Sequence, residues 1–596
     1  MSDFKTVLCE DSRIADITSE EVYGVQSSAS QSTYQQFQAV SASNSSIVFN
    51  VQIPSENIVI DRHLLLQSTL TFTVNAGSAT NAVNQVPVGQ LAMNYGLTDS
   101  VQAFPLQSLF TTAQATINNV SVSTNYKDVL PMLMRMNDKE MLSRYNTLTP
   151  SNPDTQYGVY SNGVLANNNP LASLNNNSYD DNYMPRGAFP VVLAVQHFDP
   201  AGVIYAGAGG SSLVSQNVAD TWKIVITGTF TEPFLALSPF INSQPISQAG
   251  LVGINNMSMV LNIDSTCSRL FSTANTNIAG GVISSYITSI NLGSTAQPIG
   301  FQNTRLLFNF LSLQPEQYAK ISSKNVVSFL DYPRFLTTST NNAPLAPNAS
   351  STITSQSIQL NQIPDLILIC ARVPMSEQNY NNTSSFLTIN KISVNFNNAS
   401  GLLASATQQD LYNISYANGS AQSFYEFRGG AINNNNITGS PTTIPTTGSL
   451  LVLSPVYNFS LPTYLAGSSL GQYQFQFNLE VSNQLPYNVV PEVCICLVNS
   501  GLFTTVQGTS QIFTGILTKE MVLRTKEQNP VPHLTSDEYK RLVGGKLENM
   551  GMARMGRLHH GVRRLGGVPS GGVMSGGQSS GGQVSGGRTR LSKHLM

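Results

Sequence analysis

The chain has 596 residues, enough for two to four domains with large buried cores. Only 10% of them are charged, against about 25% in an average soluble protein, whereas the hydrophobic share of 41% is close to normal. With a net charge of −2, nothing in the overall composition points to nucleic acid or to an acidic substrate. A surface this neutral suits a protein that packs against copies of itself, and equally a secreted or surface-attached β-protein.

The cysteines and the first residues bear on the compartment. The chain has five cysteines, an odd number without the spacing of a metal site, at Cys9, Cys267, Cys370, Cys494 and Cys496. Cys494 and Cys496 lie two apart in an apolar run, so on a strand they share one face, which predicts buried thiols in a reducing compartment. Residues 1–21 lack the apolar core of a signal peptide, and no stretch reaches the ~18 apolar residues of a membrane span. We therefore expect synthesis in the cytosol.

The first half of the chain is predicted to form strands, one helix and one long loop. Residues 1–44 are polar and rich in Ser and Gln, which predicts a flexible N-terminal arm. Apolar residues recur at helical spacing over 126–145, where a methionine stripe predicts core packing rather than a cofactor groove. Residues 146–215 have the composition of an elaborated loop. Strands are predicted at 47–53, 64–74, 189–198, 222–230 and 283–299, with a strand, an Asn-Asn turn and a returning strand over 106–123.

The second half restarts with a strand at 304–313. The run 366–373 is apolar enough to be buried on both faces. A short helix is predicted at 407–415, where Thr407 and Asp410 form a capping-box pattern. Further strands are predicted at 326–335, 357–360, 386–397 and 492–517.

One stretch occurs twice at a constant offset. Residues 235–242 (LALSPFIN) recur as 451–458 (LVLSPVYN), agreeing at five of eight positions, and an alternating run begins fifteen residues after each. Both halves share the order strand, Asn-Asn turn, helix, loop, motif and strand, without βα alternation. The sequence therefore predicts an all-β protein of two related antiparallel sandwiches in tandem, with Pro239 and Pro455 stopping matching strands.

No catalytic constellation is found in the sequence. The six histidines have no Cys or acid at metal-ligand spacing. The glycine-rich stretch 206–212 lacks the Lys and the helix start of a phosphate-binding loop. We therefore expect no enzymatic activity, no metal and no cofactor.

The C-terminal tail, residues 544–596, is basic and rich in glycine. It carries eight Lys and Arg against one acid, a composition that predicts disorder and binding to polyanions through phosphate neutralisation. The alternative is an inert solvated tail, and a short helix is predicted just upstream at 535–543. The candidate polyanion-binding residues are Arg554, Arg557, Arg563, Arg564, Arg588, Arg590 and Lys593.

Three stretches resemble the double jelly-roll major capsid proteins of virophages and Polinton-like viruses, in the adenovirus-like lineage: 104–119, 304–313 and 392–415. The resemblance covers roughly residues 45–520. It implies two tandem jelly rolls with short helices in the interstrand loops. The implied boundaries are an arm at 1–44, a first jelly roll at 45–299, a second at 300–520 and a C-terminal extension at 521–596.

The resemblance also implies a function and partners. It implies homotrimers that form pseudo-hexagonal capsomers, an icosahedral shell, and contacts with neighbouring trimers and with penton or minor capsid proteins. The termini would meet the genome or an inner membrane, and the protein would reside in the virion after synthesis in the host cytosol. A viral cysteine protease of the adenovirus type would cut after Gly545, before Lys546, or after Gly577, before Gln578.

Two alternatives stay open at this point. The first is a two-domain β-sandwich adhesin or spike that binds a glycan through its loops, although the only Trp is placed in a strand. The second is a β-sandwich hydrolase whose carboxylates have no recognisable pattern.

Overall fold

The described residues of the computed structural model lie between Gln31 and Glu527 and fall in one compact unit, 29–553. They are 31–55, 58–76, 95, 99–137, 148–151, 189–198, 221–240, 250–273, 277–279, 282–284, 287–313, 324–338, 343–378, 380, 385–433, 442–445, 447–462, 465–485, 487–506 and 508–527. No helix among them is long and apolar enough to cross a membrane.

The described residues of the first half form two large antiparallel sheets and two small two-stranded ones. Its strands are β1 (Gln31–Gln38), β2 (Ser41–Ala42), β3 (Ser46–Gln52), β4 (Ile58–Ile60), β5 (Leu65–Ala76), β6 (Asp99–Val101), β7 (Phe110–Ile117), β8 (Val120–Thr124), β9 (Val192–Phe198), β10 (Thr221–Pro233), β11 (Asn256–Ile263), β12 (Phe271–Thr273), β13 (Asn277–Ala279), β14 (Val282–Ser284), β15 (Ile287–Leu292) and β16 (Phe301–Ser312). Its helices are α1 (Pro105–Ser108) and α2 (Tyr126–Met136). Sheet A has the order β1-β16-β5-β10-β9, with β4 beside β16 and β15 beside β5, and sheet B has the order β2-β3-β11-β7-β8.

The second half repeats this arrangement. Its strands are β17 (Lys324–Asp331), β18 (Arg334–Thr338), β19 (Ser350–Thr354), β20 (Ile358–Gln362), β21 (Leu366–Arg372), β22 (Thr388–Phe396), β23 (Ala399–Leu402), β24 (Gly430–Asn433), β25 (Thr442–Pro445), β26 (Leu451–Leu453), β27 (Leu470–Ser482), β28 (Glu492–Val506) and β29 (Thr509–Thr514). Its helices are α3 (Gln408–Ala417), α4 (Phe424–Phe427), α5 (Pro455–Asn458) and α6 (Lys519–Glu527). Sheet C has the order β17-β28-β21-β26, with β18 and β29 also on β28. Sheet D has the order β19-β27-β22-β23, with β20 also on β27.

The path of the chain through these sheets is that of a jelly roll in both halves. In the second half the chain passes from sheet C (β17, β18) to D (β19, β20), then to C (β21), D (β22, β23), C (β26), D (β27) and C (β28). In the first half β1, β3, β5, β7 with β8, β10, β11 and β16 follow the same order through sheets A and B. The predicted all-β fold of two tandem antiparallel jelly rolls is confirmed.

The two copies of the motif and the two Asn-Asn turns occupy matching positions in the two jelly rolls. The first copy of the motif directly follows β10, and the second covers β26 and α5, where β10 and β26 are the corresponding strands of the two jelly rolls. β26 ends at Leu453, two residues before Pro455, which begins α5, and β10 already ends at Pro233, before Pro239. Asn118 and Asn397 start the turns β7–β8 and β22–β23, each with a φ near +50° (53° and 50°) that Asn tolerates better than most residues.

Sheet C has no solvent face at its centre. Ile369 and Ile495 face the core of the second jelly roll, whereas Cys370, Cys494 and Cys496 belong to the hydrophobic cluster of the first. All residues of β21 are buried, as its apolar run predicts. The predicted burial of the paired thiols is confirmed, and the surface that covers them is the other jelly roll.

Two predicted boundaries are wrong. The strand at 304–313, predicted to open the second jelly roll, is β16, which pairs with β1 and β5 and completes the first. The boundary at 299/300 therefore falls one strand too early, because the alternation of Leu306, Phe308 and Phe310 would fit the core of either sandwich. The predicted arm 1–44 ends earlier too, since its described part forms β1 and β2 and Phe37 packs 5.4 Å from Phe308.

Other predicted elements are confirmed with shifted ends. The predicted strand at 106 begins instead as the helical turn α1, and the predicted helix 126–145 is described as α2 up to Met136. The capping box of Thr407 and Asp410 is present at the start of α3. Of the elaborated loop 146–215, the structure describes residues 148–151 and 189–198, and the rest lies outside the described residues.

Candidate functional site

The residues predicted to carry cleavage and polyanion binding lie outside the described residues, and both assignments remain predictions. They are Gly545, Lys546, Gly577, Gln578, Arg554, Arg557, Arg563, Arg564, Arg588, Arg590 and Lys593. The predicted helix at 535–543 lies outside them as well. In the described part of the chain, no group of His, Cys, Asp and Glu side chains converges as a metal site. The chemically distinctive site that the structure does describe is the interface between the two jelly rolls.

A buried ion cluster joins α2 of the first jelly roll to sheet C of the second. The Asp128 carboxylate accepts a hydrogen bond from Arg372 (Oδ1–Nη2 2.5 Å) and pairs with Arg334 (Oδ2–Nη1 2.7 Å). Arg372 also donates from Nε and Nη2 to Glu492 Oε2, at 3.1 and 3.0 Å. The side chains of Arg372 and Asp128 are only 2% and 4% exposed, so water screens their pairing very little, whereas Arg334 at the edge of the cluster is 36% exposed.

Local structure explains why these charges meet. Asp128 is an acid in the first turn of α2, where the helix dipole favours negative charge. Arg372 and Glu492 are direct partners across β21 and β28, at the end of an otherwise apolar ladder. Burial lowers the pKa of Arg372, but the neighbouring Cys494 and Asp128 outweigh it and hold that pKa above its ordinary value. Arg372 therefore stays charged.

A second ion pair lies beside the first turn of α2. Lys127 Nζ pairs with Asp264 Oδ2 at 2.9 Å, and Arg269 Nη1 donates to the Lys127 carbonyl at 2.7 Å. Burial and the nearby Arg372 lower the pKa of Arg269 to about 10. The first turn of α2 is thus held from both sides by charged groups in a chain that has few of them.

The far end of α2 also contacts the second jelly roll. The Arg135 guanidinium lies 3.8 Å from the centre of the Phe386 ring, and Nη1 donates to the Pro131 carbonyl at 2.8 Å. The Ala421 N–H donates to the Arg135 carbonyl at 3.1 Å. Consequently α2 is tied to the second jelly roll at both of its ends.

The motif and the Asn-Asn turn of the first half both take part in the interface between the two jelly rolls. Ser238, in the LALSP motif, accepts the Leu330 N–H at 3.0 Å. Asn118 donates to Ser510 Oγ at 3.0 Å, and the Ser510 N–H donates to Asn119 Oδ1 at 2.7 Å. In its first copy the repeated motif therefore contacts the neighbouring jelly roll.

A separate buried carboxylate lies near the elaborated loop. Glu232 accepts hydrogen bonds from the N–H groups of Leu106 and Gln107 (2.9 and 3.0 Å), from Gln107 Nε2 (3.3 Å) and from Thr149 Oγ1 (3.1 Å). Burial raises the pKa of Glu232 to about 7, against these hydrogen bonds, which lower it. Glu232 thus links the start of α1 to Thr149, in the described part of the elaborated loop.

Sequence pattern alone did not reveal these charged residues as a site, although a signal was present. Arg372 ends a run of seven buried residues in a chain of 10% charge, which is a position where charge needs a partner. The partner Asp128 lies 244 residues away, and only the fold shows that the two meet.

Comparison with known proteins then identifies the family. Residues 2–311 match the family model for the first domain of the Sputnik virophage major capsid protein, and residues 332–501 match that for the C-terminal domain of major capsid protein V20. The chain belongs to the Sputnik virophage major capsid protein family. The gap between the matched ranges follows β16 and agrees with the corrected boundary.

Individual relatives agree with this capsid assignment. The capsid protein V20 of Sputnik virophage is 26% identical over 542 residues, covering 89% of this chain and 82% of the relative. The cryo-EM structure of Sputnik virophage matches with a TM-score of 0.73 at 23% identity, over 90% of this chain and 98% of that one. The crystal structure of the mavirus major capsid protein matches with a TM-score of 0.64 at 13% identity, over 89% and 99%. At these identities the solved structures show the shared fold.

The protein is therefore a major capsid protein and a structural component of the virion. The family matches confirm the predicted function and virion location, and they do not favour the alternative of a glycan-binding adhesin.

Removing Arg372 should destabilise the capsid protein strongly. We expect Arg372→Ala to lower the free energy of unfolding by about 3–5 kcal/mol, because Glu492 stays buried without its cation and Asp128 keeps only the partly exposed Arg334. Denaturant unfolding of purified protein measures this. The matched control is Arg524→Ala, which breaks an ion pair with Glu520 whose side chains are 69% and 72% exposed, and should cost less than about 1 kcal/mol. Equal effects of the two variants would contradict a structural role for the cluster.

Glu232 should make stability depend on pH in a definite direction. Below pH 4.5 the carboxyl is protonated in both states, and between 4.5 and about 7 the unfolded chain ionises first, so stability falls as pH rises and levels off above 7. The steepest slope is about 1.4 kcal/mol per pH unit. Thermal unfolding at pH 5 and 7.5 should show a smaller difference for Glu232→Gln than for the wild type. Glu520→Gln should keep the wild-type difference, and identical slopes for all three proteins would rule the effect out.

Proposed function

We propose that the capsid protein assembles as a homotrimer whose six jelly rolls form a pseudo-hexagonal capsomer, and that these capsomers build an icosahedral shell. The observation that supports this most strongly is the pairing of two jelly rolls of one topology, packed through sheet C and the α2 ion cluster. Three such pairs around an axis give an outline with six similar sides, and symmetric closure of this kind is the common route to oligomers.

The low charge supports extensive contact between copies. With 10% charged residues the chain has little self-repulsion, and obligate interfaces bury upwards of about 2,000 Å² of mostly uncharged surface. We also infer a structural and non-enzymatic role, which the matches to capsid proteins support. Neighbouring trimers are the first partners in this arrangement, followed by penton or minor capsid proteins.

The basic tail supports a second part of the proposal. A viral cysteine protease would remove it after Gly545 or Gly577, or the tail would stay attached and bind the genome or an inner membrane through its cations. Both sites have an aliphatic residue or Met three positions before the cut, at Leu542 and Met574.

Solution mass and microscopy test the trimer. We expect analytical ultracentrifugation of the full chain to give about 193 kDa, three times the 64.2 kDa of one chain. Negative-stain electron microscopy should show hexagonal particles or shells. A monodisperse 64.2 kDa species across the micromolar range would overturn the proposal.

Intact-mass spectrometry of protein taken from virions tests the tail. Cleavage predicts a C-terminus at Gly545 or Gly577, and replacing both glycines of the pair that is cut, for instance Gly544→Ala with Gly545→Ala, should abolish the shortened form. The matched control is the same double replacement at the glycines 566 and 567, which should leave cleavage intact. Retention of Met596 in virions would overturn cleavage and leave the polyanion-binding tail as the remaining proposal.

A further inference from the structure

Two corresponding helices differ sharply in exposure. Helix α2 follows β8 and helix α3 follows β23, the matching strands of the two jelly rolls. Every residue of α2 except Lys127 is buried, because the helix lies between its own jelly roll and sheet C. In α3 the buried residues are Leu411 and Ser415. Helix α2 therefore forms an interface within the chain, whereas the corresponding helix α3 stays largely uncovered.

The uncovered side of α3 carries aromatic residues. Tyr416 and Tyr425, the latter in α4, are 49% and 58% exposed. Between them Tyr412 lies 6.3 Å from Tyr416 and 5.4 Å from Phe424, measured between ring centres. Exposed Tyr and Phe in a cluster are typical of the centre of protein interfaces rather than of free surface. We call this surface the α3–α4 face.

The counterpart of the buried outer side of sheet C is the outer side of sheet A. On sheet C the outward-facing Leu366, Leu368 and Cys370 are covered by the first jelly roll. On sheet A many outward-facing side chains form a polar ladder across strands, with Thr69 3.0 Å from Thr229 and Gln67 donating to Thr231 at 2.9 Å. The same side also carries half-buried apolar residues, Val225 and the cross-strand pair Leu65 and Leu307. We call this surface the sheet A face.

The sheet A face is partly exposed and ordered. Arg305 donates from Nε to Gln67 and from Nη1 to Gln36, both at 2.6 Å, which extends the ladder to β1. Tyr34 on β1 is 81% exposed, and Thr229 on β10 is exposed as well. Pre-ordered side chains of this kind lose little conformational entropy when a partner covers them.

The α3–α4 face carries the exposed Asp410 and, at the end of α4, the exposed Arg428, whereas the sheet A face carries cations alone. Asp410 is the only charged residue of α3, and it is the third residue of its helix, as Asp128 is in α2. The charged outward-facing side chains on β5, β10 and β16 are Lys223 and Arg305, both cations. Within the chain, Asp128 already meets the cation Arg372 across the equivalent interface.

We propose that the α3–α4 face of one copy packs on the sheet A face of a second copy, repeating between chains the contact that α2 makes with sheet C within the chain. This contact is head-to-tail, so it joins two different surfaces and closes into a ring. It rests on the proposed homotrimer and specifies which surfaces hold it together.

Two lysine substitutions, one in each face, test the pairing. Tyr416→Lys and Thr229→Lys each place a long charged side chain in one face. Each should raise the concentration at which half of the protein is trimeric by at least about tenfold, the effect of losing one central contact. The matched control is Gln359→Lys, on the exposed outer side of sheet D, which should leave this concentration unchanged. Sedimentation measures assembly and thermal unfolding checks folding.

Mixing the two variants sharpens the test. Tyr416→Lys protein retains an intact sheet A face and Thr229→Lys protein an intact α3–α4 face, so an equimolar mixture should form heterodimers and no trimers. Native mass spectrometry with one protein isotopically labelled identifies them. If Tyr416→Lys or Thr229→Lys unfolds at a lower temperature than the wild type, Tyr425→Lys and Tyr34→Lys repeat the test at more exposed positions.

The outcomes separate this inference from the trimer itself. Wild-type protein that never forms trimers would overturn the proposed function. Wild-type trimers with unchanged assembly of either variant, or a mixture without heterodimers, would overturn the pairing of these two faces and leave the trimer standing.

Discussion

Burial of both sides of sheet C is the constraint on which the rest of the molecule depends. Ile369 and Ile495 fill the core of the second jelly roll, and the alternate residues Cys370 and Cys494 require the first jelly roll as cover. Without that cover an apolar surface would face water, which stable monomeric domains avoid. Hydrophobic burial is the larger stabilising contribution here. The ion pairs around Arg372 also restrict the geometry of the interface. They form only when the two jelly rolls meet in one relative position.

Duplication supplies two similar surfaces, and the chain uses them differently. Helix α2 is enclosed whereas α3 keeps an aromatic side exposed. The outer side of sheet C is apolar, whereas that of sheet A carries a ladder of Thr and Gln beside a few Leu and Val. An apolar face suits a contact that forms once and never opens. A more polar face suits a contact that must remain soluble in the free protein and still pack closely later.

Local pattern predicted much of this fold and missed what depends on distant partners. The offset between the two motif copies, the turns at Asn118 and Asn397 and the burial of Cys494 all follow from short stretches of sequence. The assignment of β16 failed because its alternation suits either sandwich, and β1 was missed because a strand at the edge of a sheet keeps a polar outer side. The ion cluster was beyond reach, since its members lie on different elements hundreds of residues apart.

The pairing of β1 with β16 has a consequence for synthesis. The first strand of sheet A finds its partner at residues 305–312, so the first jelly roll cannot close while the ribosome is still translating the region between them. At roughly 5–20 residues per second this interval lasts on the order of tens of seconds. During that time the strand edges of β5 and β10 belong to an unfinished sheet in a chain with little charge to keep copies apart. Nascent capsid chains are therefore most prone to aggregate before they can assemble.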